Sequence, residues 1–375
     1  MENFDKNLVA FIMAGGVGTR FWPLSTKEKP KQFIQLFDDQ SLLQKSYDRV
    51  AGIVPDDRII VLTNADFTHL VAEQLPHVPH QNIIGEPERK DTAAAVCLGT
   101  LVAMKRYNNP VIIVLTADHL IEPLDLFQRT MLSAIKEARQ TETLYTFGIK
   151  PTYPAEGYGY LEIGERIAQD NAIEHFSLTS FREKPNTETA REYLESGRYL
   201  WNSGMFVWTS NAIFAELKLH LPEHIKHLTN AVEKIDTAQW EATLGKEFSA
   251  LKRISIDFAV MEKAHDVRCV ACDFSWKDVG GWLSIQDFLT CDANGNYIKG
   301  CVHALDAKDN LVFCEHPQET LALVGISNVV VVRAGTKTLV VHRDRLEDVK
   351  QVVESMIAQP VGFNFFGKKN TRKKK

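Results

Sequence analysis

The sequence predicts an α/β protein in which a mostly parallel sheet is followed by a small β-rich C-terminal domain. Strand-like and helix-like runs alternate over about the first 150 residues. Mixed short runs fill about 150–285, and from about 295 short β runs broken by turn residues replace any helical period. Repeated strand–helix–strand units require right-handed crossovers, and these build a parallel sheet with helices on both faces.

LVAFIMA (8–14) is a continuous apolar run ending in glycines, the pattern of a strand buried on both faces. SLLQKSYDRVAGIV follows with helical spacing, and Ser41 with Gln44 forms a capping-box pair. RIIVLT (58–63) predicts the next strand, NADFTHLVAEQL a helix, and QNIIGE (81–86) a short strand. DTAAAVCLGTLVAMKRY predicts an alanine-rich helix capped by Asp91 or Thr92. VIIVLTAD (111–118) is the strongest strand signal; a helix near 123–141 and the strand TLYTFGI come after it. In such sheets ligands bind beyond the carboxyl ends of strands, which singles out 15–31, 86–92 and 118–119. The middle region offers β runs YGYLEIG, SLTSFREK and MFVWTS around helices at 186–196, 210–219 and 222–235. The C-terminal β runs read as a few coils of a β-helix closed by a capped helix at about 345–358.

The chain has 375 residues, 45% hydrophobic and 24% charged, which excludes a disordered or fibrous protein. No run approaches the ~18 apolar residues that span a bilayer, and the N-terminus lacks a secretory signal, so no membrane association and a cytoplasmic location are expected. Six cysteines in so long a chain read as reduced thiols. The net charge of −5 hides an asymmetry: KKNTRKKK at the end holds six basic groups, leaving the body with 37 basic against 48 acidic residues. A body that acidic is a poor nucleic-acid binder. Cys269-x₂-Cys272 lacks a second ligand pair for zinc and lies in the apolar run VRCVACDF, so core thiols are expected.

The first strand opens into AGGVGTRFWPLSTKEKPKQF (14–33). Glycines there let backbone N–H groups approach a phosphate with no Cβ in the way. The Walker pattern is absent, and GxGxxG fails because Phe21 stands where the third glycine belongs. Arg20, Lys29 and Lys31 remain as fixed cations suited to a triphosphate.

The string GGxGTRxxPLS…PKQF resembles the signature of the sugar-1-phosphate nucleotidyltransferases, and WPLS followed by PKQF resembles the mannose-1-phosphate guanylyltransferase branch. The likeness recurs in order at EPERKDTAAA, LTADHLI, EGYGYLEIG, FREKP, WNSGMFVW, SIDFAVMEK and FSWKDVGGW, covering about 1–285. It implies a Rossmann-like nucleotidyltransferase domain over 1–285, with a nucleotide-binding part to about 150 and a sugar-binding part from 151. A β-helix-like domain at 295–360 and a basic disordered tail at 361–375 complete the expected chain. A longer version of the family adds a phosphomannose isomerase domain, for which this sequence leaves no room, so bifunctionality is not expected.

The resemblance also implies a site. Ala14, Gly15, Gly16, Gly18, Thr19 and Arg20 would cradle the nucleotide, with Arg20, Lys31 and Lys184 as the catalytic cations. Asp118 and Asp278 would hold Mg²⁺, a hard ion suited to carboxylate and phosphate oxygens. His119 beside Asp118 reads as a surface or satisfied histidine, with support of Asp118 as the alternative. Glu183, Lys184, Asn202 and Gly159 match sugar contacts, Lys184 taking the sugar phosphate. Glu86 suits guanine, whose N1–H and N2–H₂ are adjacent donors. RKDTAAA departs from the family pattern R[DN]TAPA by Lys90 and Ala94 while keeping Asp91 and Thr92, which leaves the base contacts less secure than the phosphate contacts. The expected reaction joins GTP and mannose 1-phosphate into GDP-mannose and pyrophosphate by Mg-assisted in-line displacement. The alternatives are another sugar 1-phosphate or nucleotide, or a non-catalytic nucleotide-sugar-binding regulatory homologue; a homodimer is left open.

Overall fold

The computed structural model describes residues 7–16, 18–170 and 172–358. The expected basic tail lies outside the described residues. By spatial grouping the chain forms two compact units, one drawn from 1–16 and 32–279 and the other from 17–31 and 280–375.

In the first unit the elements alternate as the sequence expects. They are β1 Leu8–Ala14, α1 Leu42–Val50, β2 Ile59–Asn64, α2 Thr68–Gln74, β3 Ile83–Glu86, α3 Asp91–Arg106, β4 Val111–Thr116 and β5 His119–Glu122. There follow α4 Leu124–Thr141, β6 Leu144–Ile149, β7 Gly159–Asp170, β8 Ile173–Glu183, α5 Thr187–Ser196 and β9 Tyr199–Thr209. The unit ends with α6 Ser210–His220, α7 Pro222–Val232, α8 Trp240–Ser249, a π-helical turn Asp257–Met261, β10 Val267–Cys272 and β11 Ser275–Asp278. Neither α8 nor the π turn was expected from the sequence.

Nine strands form one sheet in the order β3-β2-β1-β4-β9-β6-β10-β8-β7. β3, β2, β1 and β4 pair in parallel; β9 runs antiparallel to both β4 and β6, so β6 keeps the common direction. β10 pairs parallel to β6, and β8 and β7 close the far edge in antiparallel fashion. β1 explains why a continuous apolar run was needed. Leu8, Ala10 and Ile12 enter a core with Leu43, Val71 and Phe127, whereas Val9 and Phe11 enter another with the alanines of α3. Successive side chains point to opposite faces, so helices on both sides demand apolar residues at every position. Small residues let α3 lie close to the sheet: a Cβ on Gly99 would fall 2.7 Å from Phe11.

Ser41 caps α1 in a reciprocal box with Gln44, as its sequence requires. The expected cap of α3 is not formed. Lys90 occupies the cap position without a side-chain hydrogen bond, because Asp91 and Thr92 face other partners described below. Cys269 and Cys272 are buried on β10 as core side chains.

A separate two-stranded ribbon decides the site. β5 and β11 pair antiparallel with Asp278 opposite His119, and Val279 N–H donates to the Asp118 carbonyl at 3.2 Å. The ribbon thereby brings two aspartates 160 positions apart in sequence onto neighbouring backbone.

In the second unit the strands are β12 Thr290–Cys291, β13 Tyr297–Lys299, β14 Cys301–Leu305, β15 Leu311–Cys314, β16 Thr320–Val324, β17 Val329–Ala334 and β18 Lys337–His342. β13, β15 and β17 stack in parallel, as do β14 and β16, giving the coils of a β-helix; β18 turns back on β17. At one corner the fully buried amides of Asn296 and Asn310 form a ladder, Asn310 donating to Asn296 at 2.9 Å. α9 Val349–Ala358 follows as the expected closing helix, after a 3-10 turn in which the His342 side chain accepts from Asp344 N–H.

Candidate active site

The strand ends of the first unit surround a cavity of about 200 Å³. Asp118, Asp278, Gly159, Glu183, Asn202 and Thr92 all line it, six residues that the sequence singled out from separate regions. The structure therefore brings together both expected metal ligands and three of the four expected sugar contacts. Lys184, the fourth, adjoins them: its Nζ lies 2.9 Å from Glu183 Oε1. Lys184 has φ +49°, a left-handed conformation uncommon for a residue with a side chain, just before Pro185.

Gly159 is a glycine for a steric reason. A Cβ there would meet Glu183 Oε2 at 2.4 Å and Asn202 Cβ at 3.2 Å. The Asn202 amide is fixed, its Oδ1 accepting from the Thr146 hydroxyl at 3.0 Å and Gly204 N–H at 3.1 Å. Its Nδ2 donates to Asp257 at 3.0 Å. Glu183 N–H donates to Glu262 at 3.0 Å, while Glu183 Oε2 is buried with no protein partner.

His119, weighed above as a satisfied histidine or a support of Asp118, is buried. The Trp276 indole N–H donates to its Nδ1 at 3.2 Å, and the Thr116 hydroxyl lies 2.6 Å from the same atom. An accepting Nδ1 puts the proton of the neutral ring on Nε2, which lies 3.7 Å from Asp118 Oδ1. Beneath the ribbon, fully buried Arg49 donates to the His119 carbonyl and to Ser46 Oγ at 3.1 Å. Burial lowers its pKa to about 10, opposed by the charges of Asp118 and Asp48. Sequence reasoning missed Arg49, Trp276 and Asp257; an acid inside the apolar stretch Ile256–Met261 was the available signal for the last.

The donor set at Asp118 and Asp278 consists of carboxylate oxygens, which fits a hard divalent cation. Among the described residues no three His, Cys, Asp or Glu side chains converge as a complete cage. A cation held by this pair would have most of its coordination left for phosphate and water oxygens.

A second cluster lies at the ends of β1 to β3. Glu86 is buried, with Oε2 3.6 Å from where a Cβ of Gly15 would stand and Oε1 without a protein partner. Burial alone pushes its pKa up to about 8. The Gln32 amide donates to the carbonyls of Ala14 at 2.7 Å and Gly16 at 2.9 Å, holding the glycine turn.

The remaining expected nucleotide contacts, Gly18, Thr19, Arg20 and Lys31, belong to the second unit. Gly18 has φ +61°, and a Cβ on it would fall 2.5 Å from the buried Lys31 stem, so no other residue fits. Thr19 and Arg20 begin a 3-10 turn, and exposed Arg20 pairs with Glu347 at 3.1 Å.

Asp91 and Thr92 are engaged within the protein. Asp91 takes two hydrogen bonds from Arg253, at 2.9 and 3.1 Å, and the Thr92 hydroxyl accepts from Ile256 N–H at 2.8 Å. They tie the start of α3 to the segment before the π turn, and this is why neither serves as the expected cap.

Residues 9–294 match a family model described as nucleotidyl transferase, and 300–356 match one described as a mannose-phosphate isomerase/GMP-like β-helix domain. A mannose-1-phosphate guanylyltransferase of Escherichia coli is 36% identical over 93% of this chain and 75% of its own length. One from Salmonella montevideo is 38% identical over 93% of this chain and 74% of its own. A crystal structure described as mannose-1-phosphate geranyltransferase from Thermus thermophilus superposes with a TM-score of 0.82 at 31% identity, covering 94% of this chain and 99% of that one. The first match spans the carboxylate-walled cavity and the glycine turn, the second spans the β-helix, and the chain belongs to the mannose-1-phosphate guanylyltransferase family of nucleotidyl transferases.

Proposed function

We propose that this protein transfers GMP from GTP to α-D-mannose 1-phosphate, releasing pyrophosphate and forming GDP-mannose. The observation that carries the reading is the cavity onto which Asp118, Asp278, Gly159, Glu183 and Asn202 converge, in a chain of this family.

Both substrates are anionic, so catalysis by direct displacement is chiefly positioning and charge neutralisation. The sugar phosphate is already ionised at neutral pH, and no general base is required. Lys184, steadied by Glu183, receives that phosphate and aims its oxygen at the α-phosphorus of GTP. Gly159 lets the pyranose lie against the backbone while Glu183 Oε2, buried and without a protein partner, accepts from a sugar hydroxyl. Arg20 and Lys31 supply cations for the triphosphate, and backbone N–H groups of the glycine turn complete its cradle. Asp118 and Asp278 would hold Mg²⁺, which when bound offsets the charge gathering on the reacting phosphates. Glu86 would read guanine: its buried carboxyl holds a proton in the free protein, and the paired donors N1–H and N2–H₂ would favour the ionised form, which accepts from both. On this reading the reaction runs in the cytoplasm, where nucleoside triphosphates are supplied.

The test is pyrophosphate release across the four nucleoside triphosphates and a panel of sugar 1-phosphates. GTP with mannose 1-phosphate is expected to give the highest kcat/KM. A different best pair would replace the substrate assignment, and no turnover with any pair would favour a binding protein.

A further inference from the structure

One carboxylate in the cavity has no task in the reaction as set out above. Asp257 begins the π-helical turn Asp257–Met261, a backbone irregularity that often marks functional sites. The residues behind it, Ala259, Val260 and Met261, are fully buried in the core, whereas Asp257 is part-exposed and lines the cavity.

Its surroundings limit what it can do. Oδ1 accepts from Asn202 Nδ2 at 3.0 Å. The Asn202 oxygen is already taken by Thr146 and Gly204, so the amide cannot flip without losing three hydrogen bonds. Glu183 is also close by. The point a Gly159 Cβ would occupy lies 2.4 Å from Glu183 Oε2 and 3.6 Å from Asn202 Nδ2. The two carboxylates and the amide are therefore neighbours on the cavity wall.

An ionised carboxylate has about four acceptor positions. Asp257 uses some for Asn202 and its own backbone N–H, and as a residue of the cavity lining it has acceptor capacity left for a ligand. Burial first, and then the charge of Glu183, raise its pKa to about 6, which still leaves it ionised at neutral pH. Packing alone does not explain a second negative charge at this position, because a neutral side chain would hold Asn202 without repelling Glu183. A cation site does not explain it either. Lys184 already pairs with Glu183, the Asn202 N–H₂ occupies one oxygen of Asp257, and no three such side chains converge as a metal cage among the described residues.

We propose that Asp257 is a specificity-determining residue of the sugar pocket: together with Glu183, beside the fixed Asn202 amide, it forms a two-carboxylate acceptor pair that takes hydrogen bonds from neighbouring hydroxyls of the pyranose. The inference rests on the assignment of this cavity to the sugar 1-phosphate. Acceptors alone reward hydroxyl donors, and a sugar lacking the matching hydroxyl leaves a carboxylate buried without its partner.

Steady-state kinetics with mannose 1-phosphate and its 2-, 3-, 4- and 6-deoxy analogues test the proposal. The wild type should reject at least one deoxy analogue by about ten-fold or more in kcat/KM. Asp257→Asn should raise KM for mannose 1-phosphate about ten-fold, leave KM for GTP within about two-fold, and lose the discrimination at that one hydroxyl while keeping the others. Uniform losses across all sugars, or a parallel rise in KM for GTP, would make Asp257 a structural prop and overturn the proposal. The wild-type series alone also decides it should Asp257→Asn not fold, because discrimination under two-fold at every hydroxyl would refute an acceptor pair. A wild type inert toward every sugar 1-phosphate would instead remove the functional reading on which the inference rests.

Discussion

On the proposed reading, the cavity of the first unit and Arg20 of the second each hold an anionic group of a substrate, and they are built in opposite ways. In the cavity the polar groups sit on or beside strands and are held by neighbours: Asn202 by Thr146 and Gly204, His119 by Trp276, Asp118 and Asp278 by a shared ribbon. Arg20 is exposed, on a three-residue turn, and its carboxylate partner Glu347 is more exposed still. An exposed pair of this kind contributes about 0–1 kcal/mol, so a triphosphate bound at Arg20, as proposed, would displace Glu347 at little cost. The cavity side chains are fixed by protein neighbours, whereas substrate would have to order the Arg20 side chain. Substitutions in the first region should therefore remove function steeply, and those around Arg20 shallowly.

The largest effect is expected at the ribbon. Asp278→Asn removes one carboxylate from the metal pair and should lower kcat at least about a hundred-fold with unchanged circular dichroism. Near-normal turnover by the folded variant would undo the contrast at its strongest point. Gly159→Ala comes next. Its Cβ would overlap Glu183 Oε2 at 2.4 Å, displacing the sugar acceptor, so KM for mannose 1-phosphate should rise by about ten-fold or more while KM for GTP holds. Equal changes in both constants would mean that the strain spreads beyond the sugar end.

Glu86→Gln places a donor against guanine's own donors, a mismatch of about 1–3 kcal/mol, or roughly ten- to a hundred-fold in kcat/KM for GTP. ITP, which lacks the 2-amino group, should lose less. Protonation adds a second readout. With a folded-state pKa near 8 against 4.5 for the free side chain, the folded protein holds a proton there that the unfolded chain releases first. That stability is fully present below about 4.5 and is lost as pH rises through 8, so wild type should lose melting temperature relative to Glu86→Gln between pH 5 and 8. Parallel melting curves for the two proteins across that range would show that burial does not hold the proton on Glu86. The smallest effect belongs to the exposed pair: Glu347→Gln should change KM for GTP by less than about three-fold, downward, because only a weak competitor for Arg20 is removed. A large rise instead would show Glu347 to be part of the site.

The same contrast explains what could be read from sequence. β1, β2, β4 and β6 were legible because strands buried on both faces must be continuously apolar, and α1 because Ser41 and Gln44 cap it locally. β9 was harder to orient: MFVWTS marks a strand but not that it enters between β4 and β6 antiparallel to both. Asp118 was legible from its place after the apolar strand β4, whereas Glu183 and Asn202 were legible through the resemblance of their short motifs. Asp257 and Arg49 escaped because their significance comes from long-range neighbours, Asn202 at 55 positions' separation and His119 at 70. The expected cap of α3 failed for the same reason, Asp91 being drawn to Arg253 across 162 positions.

Phosphorus NMR on equimolar GTP and mannose 1-phosphate with magnesium, run with wild type and with folded Asp278→Asn, tests the account most directly. Wild type should convert both substrates into pyrophosphate and the paired diphosphate resonances of GDP-mannose, while Asp278→Asn leaves both substrates in place over the same interval. Intact substrates with wild type, or equal conversion by the two proteins, would contradict the claim that this cavity is where guanylyl transfer to mannose 1-phosphate takes place.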